Sequence, residues 1–243
     1  MLALRSRIRN FKSLWSLWKS ADAGAVIAWK QAPTELGESL VKHGSDKASP
    51  ADPAQSKFSW PTHKYDFVYE HTLRERKREV QNVLEVGIGS RNSEFASNMG
   101  PFGSPGASLR AWRDFFPNAK VIGADIDRET FFEEERIHCV YVNQRDSQSI
   151  LSMWRELGNP TMDVIIDDGE HSIDSILQFA ECSIQYLAAN GYYFIEDVQL
   201  RDLDTVLKGL TTLGLSISVF CFSRAKTWGE MDGCLLLCKK FPS

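Results

Sequence analysis

The fold of this chain is decided by the stretch Val83-Leu-Glu-Val-Gly-Ile-Gly-Ser90. An apolar run of strand length passes directly into Gly87 and Gly89, and glycines let a chain turn tightly after a strand and approach a ligand closely. A turn that binds a dinucleotide would need a third glycine, where Asn92 stands, and a helix directly behind it to receive the pyrophosphate. A long loop, residues 91–107, comes after the turn instead, and it disfavours a dinucleotide.

Outward from this turn, apolar runs of strand length alternate with amphipathic segments of helix length. The predicted strands are 83–86, 120–124, 139–142, 162–166, 192–195, 216–222 and 233–238. The predicted helices are 108–116, 147–157, 172–189 and 200–213. This alternation predicts βαβ units and a parallel sheet covered on both faces. Only a loop separates the last two strands, so we expect a doubly wound, mostly parallel, seven-stranded Rossmann-like α/β sheet with a C-terminal antiparallel hairpin.

Length and composition suit one large domain with an appendage, since the chain has 243 residues, of which 43% are hydrophobic. We predict a helical N-terminal arm over residues 1–35, a lead-in or lid segment over 36–80, and the main domain over 81–243. The net charge of −4 indicates no nucleic-acid partner. The five cysteines form no CxxC pair, which argues against a disulfide framework or a zinc site and favours free thiols in a reducing cytoplasm.

The predicted arm combines basic residues with apolar residues at helical spacing and carries no acid before Asp22. Such an amphipathic helix packs on the body or on a sister subunit of a homo-oligomer, or it makes peripheral contact with a membrane. A transit peptide has the same composition. No apolar run of the chain reaches the roughly 18 residues that a membrane span needs, and we predict a cytoplasmic protein.

Polar side chains come directly after the second and third strands. Asp125, at the tip of strand two, can accept both hydroxyls of a ribose. Strand three ends in Asn143-Gln-Arg-Asp146, where Gln144 and Asp146 are candidates for contact with an adenine edge. Asp146 could instead only cap the next helix, and both interpretations stay open.

Carboxylates come after two further strands at the same sheet edge. Strand four runs into Asp167-Asp-Gly-Glu-His171, and strand five runs into Glu196-Asp197. Neighbouring strands lie about 4.8 Å apart, and like charges crowded together are unfavourable unless something neutralises them. An all-oxygen ligand set suits Mg²⁺ or another hard divalent cation. Its members would be Asp168, Glu196 and Asp197. Alternatively, the acid after strand four binds cofactor or substrate without metal, and Asp197 or His171 caps a helix.

The sequence around the first turn resembles that of class I S-adenosylmethionine-dependent methyltransferases, whose first motif looks like residues 83–89. Residues 98–127 are similar to a bacterial methyltransferase family of glycan and natural-product tailoring, and the match spans roughly residues 41–200. Its early part includes His43-Gly-Ser-Asp-Lys47 and Tyr65. The resemblance implies contact with S-adenosylmethionine by four residues: Glu85, Gly87, Gly89 and Asp125.

The reaction end resembles that of the macrolide sugar O-methyltransferases, which have an Asp-Gly-X-His stretch after strand four and a Glu-Asp pair after strand five. The resemblance implies that Asp168, Glu196 and Asp197 hold the metal. It also implies that His171 is the general base beside Asp168, although Glu170 stands where serine is usual. The implied activity is metal-assisted O-methylation of a small-molecule acceptor, a sugar or natural product.

Three alternatives stay open. A metal-independent N-methyltransferase of an amino sugar or small amine would use the same cofactor. A nicotinamide-dependent oxidoreductase is disfavoured by the missing third glycine. A non-catalytic subunit that binds S-adenosylmethionine would not need the carboxylates and His171. Lys47 and Tyr65 are secondary candidates for ligand contact. The remaining histidines are predicted to be surface or packing residues: His43, His63, His71 and His138.

Overall fold

The computed structural model describes residues 33–52, 56–58, 60–95, 97–100, 103–223 and 231–241. The predicted arm covers residues 1–35, and its residues 1–32 lie outside the described residues. No helix within the described ranges is long and apolar enough to cross a membrane.

The described elements alternate between helix and strand from β1 onward. In chain order they are α1 (Glu35–His43), α2 (Asp66–Leu73), β1 (Asn82–Val86), α3 (Ala107–Phe115), β2 (Lys120–Asp125), β3 (Ile137–Tyr141), α4 (Ser147–Glu156), β4 (Met162–Asp167), α5 (Ile173–Ser183), β5 (Leu187–Val198), α6 (Leu203–Thr212), β6 (Leu215–Ser223) and β7 (Met231–Lys240). The predicted main-domain elements are confirmed with ends that shift by a few residues, except that the helix predicted over 172–189 ends at Ser183 and residues 187–189 belong to β5. The helices α1 and α2, within the segment predicted from composition as polar lead-in, were not predicted.

The strands form one sheet in the order β3-β2-β1-β4-β5-β7-β6. The first five in that order pair in parallel, and β7 is antiparallel to both β5 and β6. From β1 the chain first adds strands on one side, β2 and β3, and then returns to add β4 on the other side, so the strand order reverses between β1 and β4. Open α/β sheets bind ligands at the carboxyl ends of the strands at such a point. The predicted doubly wound sheet with its C-terminal antiparallel hairpin is confirmed.

Apolar strands buried on both faces explain why the sheet has a core on each side. On one side, Leu84 and Ile165 pack under α4, α5 and α6. On the other side, Val83 and Val164 pack against α3 and against both lead-in helices. Trp112 of α3 is fully buried in that second core. The lead-in helices therefore belong to the body of the protein, and the stretch between them brings Lys47, Trp60 and His63 to the edge of the sheet.

Candidate functional site

A cavity of about 740 Å³ lies at the carboxyl edge of the sheet, within the size range of small-molecule sites. Its lining comes from the ends of β1, β2, β3, β4 and β5 and from the lead-in. The lining residues include Asp46, Lys47, Trp60, His63, Gly87, Gly89, Asp125, Gln144, Asp168, His171, Glu196 and Asp197. Most of the predicted site residues therefore meet in one place.

The first half of the cavity is built by the turn after β1. Gly87 has φ +84°, and a Cβ atom added to it would lie 2.0 Å from the carbonyl oxygen of Asp168, so no other residue fits there. Asp125, at the end of β2, accepts hydrogen bonds from the backbone N–H of Ile88 and of Asp127, both at 2.8 Å. Burial raises the pKa of Asp125, and these two donors oppose the rise. Asp125, which was predicted to bind a ribose, thus also holds the turn after β1 in place through these hydrogen bonds.

Gln144 and Asp146 have different surroundings. Gln144 lines the cavity, where its Nε2 donates to Asp167 Oδ1 at 2.6 Å and its Oε1 accepts from the N–H of Glu170 at 3.0 Å. Asp146 does not line the cavity, and its side chain accepts from the N–H of Gln148 at 2.9 Å as the N-cap of α4. The geometry favours the capping interpretation of Asp146.

The other half of the cavity, called the reaction half here, contains Asp168, His171, Glu196 and Asp197. Lys47 of the lead-in lies at its centre. Its buried ammonium donates to Asp168 Oδ2 and, at 2.8 Å, to Glu196 Oε2, and it lies 3.3 Å from Glu85 Oε1. Burial lowers the pKa of Lys47, but the three carboxylates outweigh that effect and hold it well above its ordinary value. The crowding of acids predicted from the sequence is therefore balanced, at least in part, by a side chain of the protein.

Glu85 was predicted to contact the cofactor, and the structure places it differently. Its side chain is fully buried and does not line the cavity. One carboxylate oxygen accepts from Ser108 Oγ at 2.8 Å, and the other accepts from Trp112 Nε1 at 2.6 Å. Because Glu85 lies inside β1, its side chain points to one face of the sheet rather than beyond the strand end. It serves as a buried anchor for Lys47 and α3.

Glu196 is engaged on both oxygens, since Tyr69 of α2 donates to the Oε1 that Lys47 leaves free. Its side chain is 1% exposed, and burial followed by the charge of Asp168 raises its pKa. Asp197 is more open, with φ +54°, and its Oδ1 accepts from Tyr65 at 2.5 Å. Since α6 begins at Leu203, Asp197 does not cap it.

His171 also has a positive φ, +60°, and its Nε2 lies 3.7 Å from Asp168 Oδ1. The helix after it is capped by Ser172 through a capping box with Ser175, so His171 does not cap it. Unusual backbone conformations of non-glycine residues concentrate at functional sites. Glu170, which stands where serine is usual in the similar methyltransferases, forms an ion pair with Arg145.

A divalent cation fits part of the predicted ligand set. Asp168, His171 and Asp197 each offer one ligand atom, and these atoms all lie within 4.8 Å of one another. The two carboxylates are the donors that a hard divalent cation prefers, whereas an imidazole is more usual around a transition-metal ion. Glu196, predicted as a third carboxylate ligand, lies beside this group with its oxygens at Lys47 and Tyr69.

Two residues that contact the candidate site were missed from the sequence. His63, predicted to be a surface or packing residue, lines the cavity with its Nδ1 3.7 Å from Asp197 Oδ1. Tyr69 was not singled out. The available signal was its spacing from Tyr65, since residues one helical turn apart lie on the same face, and the two hydroxyls here reach Asp197 and Glu196 near the end of β5.

Curated proteins similar to this chain are sugar O-methyltransferases. The 8-demethyl-8-alpha-L-rhamnosyl tetracenomycin-C 2'-O-methyltransferase of Streptomyces olivaceus is 28% identical over 159 residues, which are 65% of this chain and 36% of that protein. The demethylmacrocin O-methyltransferase of Streptomyces fradiae is 30% identical over 155 residues, which are 60% of this chain and 36% of that protein. This chain thus matches well under half of each relative. No family model matches it.

Solved structures confirm the fold. MycE methyltransferase from the mycinamycin biosynthetic pathway, in complex with Mg and SAH, superposes with a TM-score of 0.61 at 19% identity, over 86% of this chain and 55% of that one. The SAH-bound methyltransferase PaMTH1 of Podospora anserina gives 0.50 at 12% identity, over 90% and 100%. The predicted resemblance to macrolide sugar O-methyltransferases and the predicted methyltransferase-type fold are confirmed.

Proposed function

We propose that this protein transfers the methyl group of S-adenosylmethionine to a hydroxyl oxygen of a small acceptor, a sugar or a glycosylated natural product. The observation that carries the proposal is that a single cavity joins the Gly87 turn and Asp125 to the group formed by Asp168, His171 and Asp197. A cofactor half and a reaction half in one cavity suit a transfer between two bound molecules. The names of the similar curated proteins support the acceptor class.

In this reaction the acceptor oxygen attacks the methyl carbon of the sulfonium. The new C–O bond forms as the S–C bond breaks, which leaves S-adenosylhomocysteine, and the hydroxyl proton passes to His171. Asp168 stabilises the charged form of the imidazole by electrostatic attraction, because its Oδ1 lies 3.7 Å from Nε2. Holding both reactants in line supplies much of the rate enhancement of such a transfer.

We propose that Asp168 and Asp197 hold Mg²⁺ or another hard divalent cation, with Glu196 as the third carboxylate of the set. A bound cation would lower the pKa of the acceptor hydroxyl. The protein's own part is to keep the carboxylates in place, which Lys47 does for Asp168 and Glu196 and Tyr65 does for Asp197.

The position of Lys47 favours a second candidate, N-methylation of an amino sugar or small amine. Its ammonium already neutralises two of the three expected metal ligands, Asp168 and Glu196. An amine is nucleophilic without a metal, so a site with an internal cation could serve it. Turnover of an amine acceptor that persists in excess chelator would favour this candidate.

Calorimetric titration of the whole chain with S-adenosylhomocysteine, first with MgCl₂ and then with chelator, tests the proposal. We expect saturable binding to one site under both conditions, because the cofactor half contains none of the proposed metal ligands. Absence of binding under both conditions would overturn the proposal. Methylation assays on glycosylated acceptors, with and without chelator, then separate the metal-assisted O-transfer from the amine alternative.

A further inference from the structure

One wall of the reaction half comes from two short stretches of the lead-in, residues 45–47 and 60–65. The N–H of His63 donates to the carbonyl of Asp46 at 2.7 Å, and the N–H of Tyr65 donates to the carbonyl of Lys47 at 3.0 Å. Trp60 Nε1 donates to Asp46 Oδ2 at 2.8 Å. Because Lys47 is bound to Asp168 and Glu196, these bonds fix the wall relative to the reacting edge.

Trp60 presents an apolar surface to the cavity. Its only polar atom, the indole nitrogen, is engaged by Asp46, and its half-buried side chain lines the cavity. Phe58 packs against it, with ring centroids 5.1 Å apart. An indole held in this way offers carbon surface to a ligand at little loss of side-chain freedom.

His63 places a polar ring on the same wall. It stacks on Tyr65 with centroids 4.6 Å apart and planes within 16°, and its side chain is 11% exposed. Its backbone is held on both sides, since its N–H reaches Asp46 and its carbonyl accepts from Ser49 Oγ at 3.1 Å. The cavity therefore carries two histidine–carboxylate pairs at 3.7 Å: His171 with Asp168 and His63 with Asp197.

We infer that Trp60 and His63 form the acceptor subsite, in which the indole face carries the C–H face of a pyranose ring and the imidazole hydrogen-bonds one of its hydroxyls. A pyranose joins an apolar face to a polar rim, as this wall does. The cofactor half uses different residues, Gly87, Gly89 and Asp125, so the wall is left for the second reactant. This inference rests on the proposed function, and it assigns acceptor specificity to the lead-in.

The test uses methyl α-L-rhamnopyranoside as the probe and the whole chain saturated with S-adenosylhomocysteine. Binding is measured by saturation-transfer difference NMR over a titration of the sugar. We expect Trp60→Ala to weaken sugar binding roughly tenfold, the equivalent of one lost aromatic contact. His63→Ala should weaken it about fivefold, and His63→Asn, which keeps an N–H group, should recover part of the loss.

Phe241→Ala is the matched control, because Phe241 is 58% exposed and does not line the cavity. It should bind the sugar as the wild type does. Calorimetry with S-adenosylhomocysteine should give the same affinity for all variants, which a general loss of folding would not.

Three outcomes would overturn the inference. In the first, Trp60→Ala binds the sugar as tightly as the wild type. In the second, the wild type binds S-adenosylhomocysteine normally but gives no sugar signal, which leaves the proposed methyl transfer standing. In the third, the variants lose the cofactor product as well, which would assign Trp60 and His63 to the cofactor or to the fold. A wild type that fails to bind S-adenosylhomocysteine would overturn the proposed function itself.

Discussion

The ammonium of Lys47 lies 2.8 Å from Glu196 Oε2, although the two residues are 149 positions apart in the chain. The same nitrogen donates to Asp168 and lies 3.3 Å from Glu85, and the lysine side chain is 3% exposed. One buried cation thus serves three carboxylates. It joins the lead-in to the strand ends, so we expect stability and function to depend on the same contact.

Replacement of Lys47 by methionine should reduce the free energy of unfolding by about 3–5 kcal/mol, because breaking a buried ion pair leaves charges uncompensated. Urea unfolding at pH 7 measures the change. Lys208→Met is the matched control, since Lys208 is 75% exposed and its pairing with Asp204 should contribute less than about 1 kcal/mol. A loss below about 1 kcal/mol in Lys47→Met would show that the carboxylates do not depend on this ammonium.

Replacement of Asp125 by asparagine should weaken S-adenosylhomocysteine binding roughly tenfold, because one of the carboxylate oxygens that order the turn becomes a donor. Calorimetry measures the affinity. Asp146→Ala separates the two interpretations of that residue: as a helix cap it should lower stability by about 0.5–2 kcal/mol and leave the affinity unchanged. A weaker affinity of Asp146→Ala for S-adenosylhomocysteine would show that Asp146 contributes to the cofactor site.

Replacement of His171 by alanine should lower kcat by about 10²–10⁴-fold, the usual contribution of a general base, with S-adenosylhomocysteine binding retained. Steady-state methylation assays over a range of pH measure it. His138→Ala is the control, since His138 is 54% exposed and outside the cavity. Near-normal turnover of His171→Ala at every pH would exclude it as the base.

Asp66 should make the protein more stable as the pH falls from 7 towards 4. Burial raises its pKa from 3.8 to about 6, while its hydrogen bond from Thr34, at 2.8 Å, opposes the rise. Between these values the folded state holds a proton that the unfolded chain has lost. The stabilisation is complete below the unfolded pKa and is lost as pH rises through about 6.

The variant Asp66→Asn cannot titrate, so its stability relative to the wild type should rise between pH 4 and pH 7. The expected change is on the order of 3 kcal/mol, at about 1.4 kcal/mol for each pKa unit. Urea unfolding of both proteins at several pH values measures it. Parallel stability profiles for the two proteins would show that Asp66 is ionised at pH 4 to 6 in the folded state.

The sheet and the cavity edge could be predicted because their signals are local. Strands buried on both faces contain continuous apolar runs, such as Val164–Ile166, and the residues directly after each parallel strand lie at one known edge of the sheet. Asp125, Asp168 and His171 were located in this way. Glu85 was predicted to contact the cofactor because the motif covers both the strand and the turn, whereas the alternation of side chains within β1 places Glu85 on a sheet face, outside the cavity lining.

The lead-in could not be predicted in the same way, because its contacts are not local. A lysine in a polar stretch resembles a solvated one, and nothing near Lys47 in the sequence indicates that its partners are Asp168 and Glu196. The same holds for His63, whose neighbour Asp197 comes from the far end of β5. Such pairings depend on the topology of the whole sheet, which a single sequence determines only through its complete fold.

The distance along the chain between Lys47 and Glu196 also sets an order of events during synthesis. At about 5–20 residues per second, the ribosome adds Glu196 on the order of ten seconds after Lys47. Over that interval the lead-in has been synthesised, but Glu196, the last carboxylate partner of Lys47 along the chain, has not. The assembly of the reacting edge is therefore a late step that follows the synthesis of β5, because a chain stalled before β5 lacks both Glu196 and Phe194, the ring that packs against Tyr69 with centroids 4.6 Å apart.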